Sequence, residues 1–418
     1  MKTYRFAYGS GTVEFPLEEK NIIGELHGNV VEPISDIRRE LWASLDAPID
    51  SAPLCRRVTP GSTVALVVSD MSRFWMRQDL VVPHLVDYLT QRCGVREDDI
   101  TIVIANGTHT GGDEAELRTL VTDAVYDRIT VENHNCDSDD LVYLGTTPHG
   151  TPVSINRTAA LADMVICLGA ATHHVMAGFG GGRKSILPGI SGRETIFHNH
   201  AFSLDAASLR SNPAVGNGIL QGNPLHEDMC EAAGLVKNLF MVNLVMNTQM
   251  RLAAIFSGHY LTSWEQACRT VNRISSCGGF PKDISLYQGT KAIDNVESAL
   301  KPGGTLILVI EAREGGGPAE YFGWSKDLLA GTIERRLREH FTVAGYVFFL
   351  NCEQAQRYNI LLYSSIDPKA VEPMGIRAFS DVDALLEAAR LPGKTIYVIP
   401  NGATVIPHIV KEASANEA

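Results

Sequence analysis

Continuous apolar runs, not alternating ones, mark the first half of the chain. Residues 63–69 (TVALVVS), 99–105 (DITIVIA) and 163–169 (DMVICLG) are apolar at nearly every position. That is the pattern of strands buried on both faces of a parallel sheet. Each run leads into a polar loop: Asp70-Met71-Ser72-Arg73 after the first, Asn106-Gly107-Thr108-His109 after the second, and the stretch from His173 to His200 after the third. Amphipathic helices are expected near 79–92, with Gly94 just beyond the end, and near 113–121. Strand, polar loop and helix in repetition describe an open α/β sheet, and ligands bind such sheets beyond the carboxyl ends of the strands. The three loops are therefore expected to converge on one crevice.

Elsewhere the pattern is less regular. Residues 3–15 alternate and predict an edge hairpin. Residues 203–273 read as mainly helical, with helices near 226–234 and 263–274. Gly278-Gly279-Phe280-Pro281 is a break and a candidate linker. Strand–helix alternation then restarts: DISLYQGT (283–290) passes into a helix ending near 300, TLILVIEA (305–312) and NILLYS (359–364) read as strands, a helix lies near 381–390, and TIYVIPN (395–401) closes the series. The expected fold class is α/β: two α/β domains with mostly parallel sheets and an interdomain active-site cleft. An N-terminal cofactor-binding domain would span 1–277 and a smaller C-terminal domain 278–398, with the tail 399–418 packing back on the first.

Composition narrows the function. A length of 418 residues suits two or three domains, and 45% hydrophobic residues suffice for ordinary cores. A net charge of −12 argues against a nucleic-acid partner, which needs a basic surface. The first residues are polar and basic, unlike an export signal, and no stretch approaches 18 uninterrupted apolar residues, so no membrane partner is expected. The eight cysteines form no C-x-x-C pair, which suggests the reduced thiols of a cytoplasmic protein and neither a disulfide framework nor a zinc site; Cys167 and Cys352 stand in apolar surroundings and are expected in the core.

The richest stretch is HHVMAGFGGGRKSILPGISGRETIFHNH, residues 173–200. His173, His174, Arg183, Lys184 and His200 can all do chemistry, and glycines 178, 180, 181 and 182 let the backbone approach a bulky or anionic group. Lys184 can supply a cation or a nucleophilic amine. The loop is not a P-loop: G-x-x-x-x-G-K-[ST] requires glycine at 183, where Arg183 stands, and the preceding strand ends too early. His109, in a Gly-Thr-His-Thr-Gly loop after a buried strand, and His173 or His174 after another, could serve two faces of a substrate as acid and base; a buried neutral imidazole bonded to backbone is the plainer alternative. Arg73 could grip a carboxylate or phosphate through its planar fork, or pair with Asp70 as a local helix cap. Gln288 and Lys291, three apart, could reach a substrate carboxylate.

In their order along nearly the whole chain, these residues resemble the nickel-dependent lactate racemase family. The resemblance rests on S-D-x-x-R at 69–73, G-T-H at 107–109, H-x-x-x-G-F-G-G-G-x-K from His174 to Lys184, ILPGIS at 186–191, E-T at 194–195, N-H at 199–200 and Q-x-x-K at 288–291. Phe74 and Thr110 depart from residues frequent in the family, a proline and an arginine. The resemblance implies a nickel-pincer nucleotide as cofactor, the Ni(II) complex of pyridinium-3,5-bisthiocarboxylic acid mononucleotide. It implies covalent attachment to Lys184 through a thioamide, with His200 as protein ligand to Ni; sulfur donors with imidazole in planar geometry suit Ni(II). Asp70, Met71, Ser72 and Arg73 would hold the nucleotide. His109 and His174 would be the acid/base pair, and Arg73, Gln288 and Lys291 would orient the substrate, a small 2-hydroxy acid. The implied reaction is racemisation or epimerisation at C2 by reversible hydride transfer, and cofactor-maturation proteins are implied as partners. Tyr321, Phe322, Trp324 and Tyr346, in the segments 313–324 and 343–347, could line the side-chain pocket or belong to the core. Two other classes compete: a phosphotransferase using the 178–185 glycine loop, and a non-catalytic cofactor carrier.

Overall fold

The computed structural model describes residues 1–27, 29, 31–274, 283–400, 402 and 407. The chain divides into two compact units. One comprises Val30–Ser208 with Asn212–Ile274, the other Met1–Asn29 with Leu209–Ser211 and Ser275–Ala418.

The larger unit is built on a six-stranded sheet of β1 (Val64–Ser69), β2 (Ile100–Ala105), β3 (Thr130–Asn133), β4 (Met164–Ala170), β5 (Leu239–Met246) and β6 (Leu252–Gly258), in the order β6-β5-β4-β1-β2-β3. All neighbours run parallel except β5 and β6. The three apolar runs are β1, β2 and β4, and every residue of β4 is buried. Leu66, Val68, Ile102, Ile166 and Leu168 join Leu85, Val86 and Leu89 in one core. From β1 the chain proceeds outward through β2 and β3, then returns to place β4 on the other side of β1. That reversal is a topological switch point, and it opens a crevice at the carboxyl ends of β1 and β4.

Two expectations for this unit need correction. The stretch 203–273 is not mainly helical. It contains the expected helices α2 (Pro224–Gly234) and α3 (Thr262–Ile274), but also β5 and β6, with α1 (Arg193–Ala201) ahead of it. LFMVNLVM, the whole of β5, is apolar at all but one position, and periodicity alone does not separate a buried strand from a buried helix. The exception, Asn243, is fully buried and satisfies its amide with the Ser263 hydroxyl at 3.1 Å and the Phe256 carbonyl at 3.3 Å. The cysteines are not all free: Cys55 and Cys93 form a disulfide, while Cys167 and Cys352 are buried as expected.

The smaller unit carries a parallel sheet of β7 (Thr305–Val309), β8 (Asn359–Tyr363) and β9 (Arg377–Phe379), in that order. The N-terminal hairpin, strands Lys2–Tyr8 and Gly11–Leu17, belongs here and not to a domain spanning 1–277. Its apolar face finds a partner in this sheet: Phe15 packs with Leu361, Leu385 and Ala389, and the Gly9 amide donates to Asp283 at 2.7 Å. The units divide again at Ser275; the candidate linker 278–281 lies outside the described residues. Of the tail 399–418, Gly402 accepts a hydrogen bond from Asn295 within this smaller unit, against the expected packing on the first domain, and most of the remainder lies outside the described residues. DISLYQGT forms no strand: Ser285 caps a short helix, Leu286–Gly289, followed by Lys291–Val296. Between β7 and β8 runs α4 (Val343–Arg357). Tyr321 is fully buried and donates to Asn351 at 2.9 Å, and Tyr346 and Trp324 are buried too, so three of the four aromatic residues considered for a substrate pocket are core; Phe322 is half-buried.

Asp294 supplies a pH test of this unit. Burial pushes its carboxyl up to about 7, against the opposing hydrogen bond from Gln354. A carboxyl raised above its unfolded value binds more protons in the folded state, so its contribution to stability falls as pH rises from about 4 through 7. Asp294→Asn is therefore expected to flatten the decline in melting temperature between pH 5 and pH 8. An unchanged slope would place the titration elsewhere.

Candidate functional site

All three polar loops meet the carboxyl edge of the large sheet. After β1, the Asp70 side chain does not cap the following helix or pair with Arg73. It accepts from the Ser72 hydroxyl at 2.7 Å and faces His109 Nδ1 at 2.5 Å across the β1–β2 boundary. Burial alone would raise the Asp70 carboxyl; the bond to His109 and the charges of His109 and Arg73 outweigh it and hold the group below its ordinary value. Arg73 donates to Ser72 Oγ at 2.8 Å, which links Asp70, Ser72 and Arg73 in a chain. Met71 lies half-buried against the main core. The buried Gln78 amide pairs with both backbone groups of Ser69, at 3.1 and 2.8 Å, and so closes the strand end.

After β2, buried Asn106 donates to Asn133 and to the His134 carbonyl, each at 3.0 Å, and accepts the His109 amide at 2.9 Å. Gly107, at φ +55, donates to the Gly189 carbonyl at 2.9 Å and lies against Pro188. This close approach ties the His109 loop to the turn after Lys184. His109 itself is exposed on the side away from Asp70. In its neutral form, with the carboxylate facing Nδ1, His109 carries its proton there and leaves the Nε2 lone pair to act as a base.

After β4 the chain makes a tight ribbon in which His173 and His174 pair with Phe179 and Gly178. The two histidines diverge. His173 bonds Asn272 of α3 at 3.0 Å and packs on Phe179. His174 Nδ1 accepts the amides of Met176 and Ala177, both at 3.2 Å. The glycine loop then folds directly onto the strand end. Gly181 sits at φ +68 with no room for a Cβ beside the Ala170 carbonyl, and Gly182 at φ +53 with none beside Trp264. Trp264 Nε1 donates to the Gly180 carbonyl at 2.8 Å. Two loop amides, Gly180 and Lys184, bond the carbonyls of Thr172 and Gly181 and hold the two ends of the loop.

Arg183 and Lys184 separate in role. Arg183 is fully buried: it donates to the carbonyls of Phe179 (2.8 Å) and Ala177 (2.6 Å) and to His226 Nδ1 (3.1 Å), and lies 3.8 Å from the centroid of Trp264. It braces the loop and does not face a ligand. Lys184 is half-buried. His200, near the end of α1, is buried, and burial together with the nearby Lys184 ammonium pushes its imidazole down to about 3, only partly opposed by a bond to the Ile196 backbone. A neutral imidazole beside an amine is the donor state a metal requires.

The structure thus groups Asp70, Ser72, Arg73 and His109 by direct bonds, ties that group to the 184–189 turn through Gly107, and sets His200 near Lys184. Gln288 and Lys291 belong to the other unit, where Lys291 Nζ donates to Gln288 Oε1 at 2.6 Å. Several residues were given no individual role by the sequence reading because they act through tertiary contacts. Ser191 and Thr195 fix backbone turns through the carbonyls of Ile186 and Pro152. Trp264 and Asp228 come from distant elements and carry no local motif.

The glycine packing gives a differential prediction. Gly182→Ala must accommodate both a left-handed backbone and a methyl 2.4 Å from Trp264, and is expected to cost about 2–5 kcal/mol by urea denaturation. Gly150→Ala, at φ +91 with nothing within 4 Å, should cost only the backbone part, about 1–2 kcal/mol. Equal costs would contradict the packing of the loop on Trp264.

Comparison with known proteins places the chain in a family. The lactate racemase N-terminal domain profile matches residues 8–211 and the lactate racemase C-terminal domain profile residues 266–407. The chain is 28% identical over 342 residues to a protein named lactate racemase from Thermoanaerobacterium thermosaccharolyticum, covering 78% of each chain. It is 27% identical over 427 aligned positions to the lactate racemase of Lactiplantibacillus plantarum, covering 96% of this chain and 98% of that one. In fold it resembles the lactate racemase apoprotein from T. thermosaccharolyticum, with a TM-score of 0.86, 24% identity, and coverage of 97% and 99%. A Thermotoga maritima protein matches less closely, with a TM-score of 0.62, 17% identity, and coverage of 90% and 99%. Two family profiles that together span most of the sequence, over one shared fold, establish that the chain belongs to the lactate racemase family, a family of isomerases acting on hydroxy acids.

Proposed function

We propose that the protein racemises or epimerises a small 2-hydroxy acid, with lactate the first substrate to test, and that it does so with a nickel-pincer nucleotide carried on Lys184. The observation that carries this reading is the pairing of a half-buried lysine with a buried, neutral His200 at the carboxyl edge of the sheet, in a chain of the lactate racemase family. The residues suit such a group: Lys184 provides an amine for attachment, His200 a neutral nitrogen donor for Ni, and the Ser72 and Arg73 side chains a polar patch for a phosphate. The bound cofactor would supply a hydride acceptor and donor.

The remaining chemistry falls to the chain. His109, with Asp70 holding Nδ1, takes the proton of the 2-hydroxyl at Nε2 and returns it in the reverse direction. The Asp70 carboxylate stabilises the imidazolium so formed. His174 serves the opposite face. For that role its Nδ1 must part from the Met176 and Ala177 amides, because an imidazolium carries protons on both nitrogens. Arg73 orients the substrate carboxylate. Met71 completes the nucleotide-holding segment with Asp70, Ser72 and Arg73. Cofactor-maturation proteins are the proposed partners and the cytoplasm the proposed location; among the described residues no helix is long and apolar enough to cross a membrane. No observation favours a phosphotransferase or a carrier without activity.

The test is a chiral assay of cofactor-loaded protein on enantiopure D- and L-lactate, then on larger 2-hydroxy acids. Interconversion should fall by roughly 10²–10⁴ in His109→Gln while the cofactor stays attached. Loaded protein that interconverts none of these acids would contradict the assignment.

A further inference from the structure

The nickel reading of His200 leaves Asn199 without a role. Asn199 is fully buried, and its amide donates to Asp228 Oδ2 at 2.8 Å and to the Leu225 carbonyl at 3.0 Å. Asp228, on α2, is also fully buried. It accepts from Thr147 Oγ1 at 2.6 Å and Thr151 Oγ1 at 3.0 Å, and the Thr151 amide in turn donates to Thr147 Oγ1 at 3.0 Å. One carboxylate therefore joins three separate elements: the 147–151 turn, α2, and the last turn of α1 beside His200.

A second description of the same place is a metal site, since ligand atoms of His149, Asp228 and Glu231 lie within 4.8 Å of one another. The hydrogen bonds argue against it. Both Asp228 oxygens already hold neutral donors, and His149 Nδ1 is bonded to Glu231 at 2.8 Å. A charge buried with three donors of fixed geometry makes a rigid support.

We infer that Asp228 is a positioning residue for His200: through Asn199 it fixes the end of α1 and thereby the direction from which the imidazole meets the nickel. The inference rests on the reading of His200 as metal ligand. Groups behind a metal ligand set its orientation, and their loss typically weakens metal binding roughly ten- to a hundredfold. Attachment at Lys184 is a separate bond and does not depend on Asp228.

Two measurements test this. In the first, cofactor-loaded protein is challenged with EDTA and nickel loss is followed. Asp228→Asn should release nickel roughly ten- to a hundredfold faster than wild type, with the Lys184 adduct mass retained. Asn199→Ala, which leaves Asp228 with both threonines, should act in the same direction and serves if Asp228→Asn folds poorly. Val103→Ala, which truncates a fully buried side chain of β2, supplies the comparison for lost stability alone and should release nickel at the wild-type rate. In the second, the His200 imidazole is observed by ¹⁵N NMR in cofactor-free protein and assigned with His200→Gln; its signals should shift or split in Asp228→Asn. Nickel release no faster than in Val103→Ala, or a His200 signal unmoved by the substitution, overturns the inference. If wild-type protein takes up no nickel, the metal-ligand reading fails, and the His200 spectrum alone decides whether Asp228 sets the ring.

Discussion

The site depends first on a buried guanidinium. Arg183 has no exposure to water, and its described partners include no carboxylate; two carbonyls, one imidazole nitrogen and the face of Trp264 replace its hydration. Burial pushes it down to about 10, still cationic at neutral pH. Leaving such a charge unpaired would be costly, so all four contacts must form together. When they do, the backbone from Ala177 to Arg183 has one conformation, and the next residue, Lys184, is delivered to a fixed place. The glycines at 181 and 182 are the complement of this brace, since any side chain there would collide with Ala170 or Trp264.

The sheet explains why the other groups arrive at the same edge. The chain reverses direction between β1 and β4, so the loops that leave these strands diverge and open a crevice. Asp70 leaves from β1, His109 from the adjacent β2, and the glycine loop from β4. Their mutual bonds, Asp70 to His109 and Gly107 to Gly189, connect the three. His109 and Lys184 are thereby held at one edge of the sheet, with His226 of α2 and Trp264 of α3 bracing the glycine loop.

Much of this was legible in the sequence because it is local. Uninterrupted apolar runs identified β1, β2 and β4, and the position of the polar loops after them pointed to the carboxyl edge. The resemblance at His109, His174, Lys184 and His200 is what the proposed chemistry starts from. What stayed hidden was set by tertiary partners. The hairpin at residues 2–17 reads the same whichever core it joins, and its partner Leu361 lies more than 300 residues away. The β5 run resembles a buried helix. Arg183 looked reactive because nothing in its neighbourhood signals Trp264, 81 positions on. Tyr321, Trp324 and Tyr346 looked like a pocket because aromatic residues near glycines are ambiguous between core and binding surface. Asp70 was assigned to the nucleotide and was found bonded to His109, a contact between two strands that spacing does not encode.

We propose that this loop geometry serves to carry a metal-bearing cofactor on Lys184. Intact-mass spectrometry with nickel analysis, on protein produced together with the cofactor-making enzymes, tests it most directly. The account predicts a covalent adduct with about one Ni per chain, as one attachment lysine and one ligand histidine require, both lost in Lys184→Ala. Protein of unmodified mass and without nickel, from a preparation in which another member of the family does load, would contradict it.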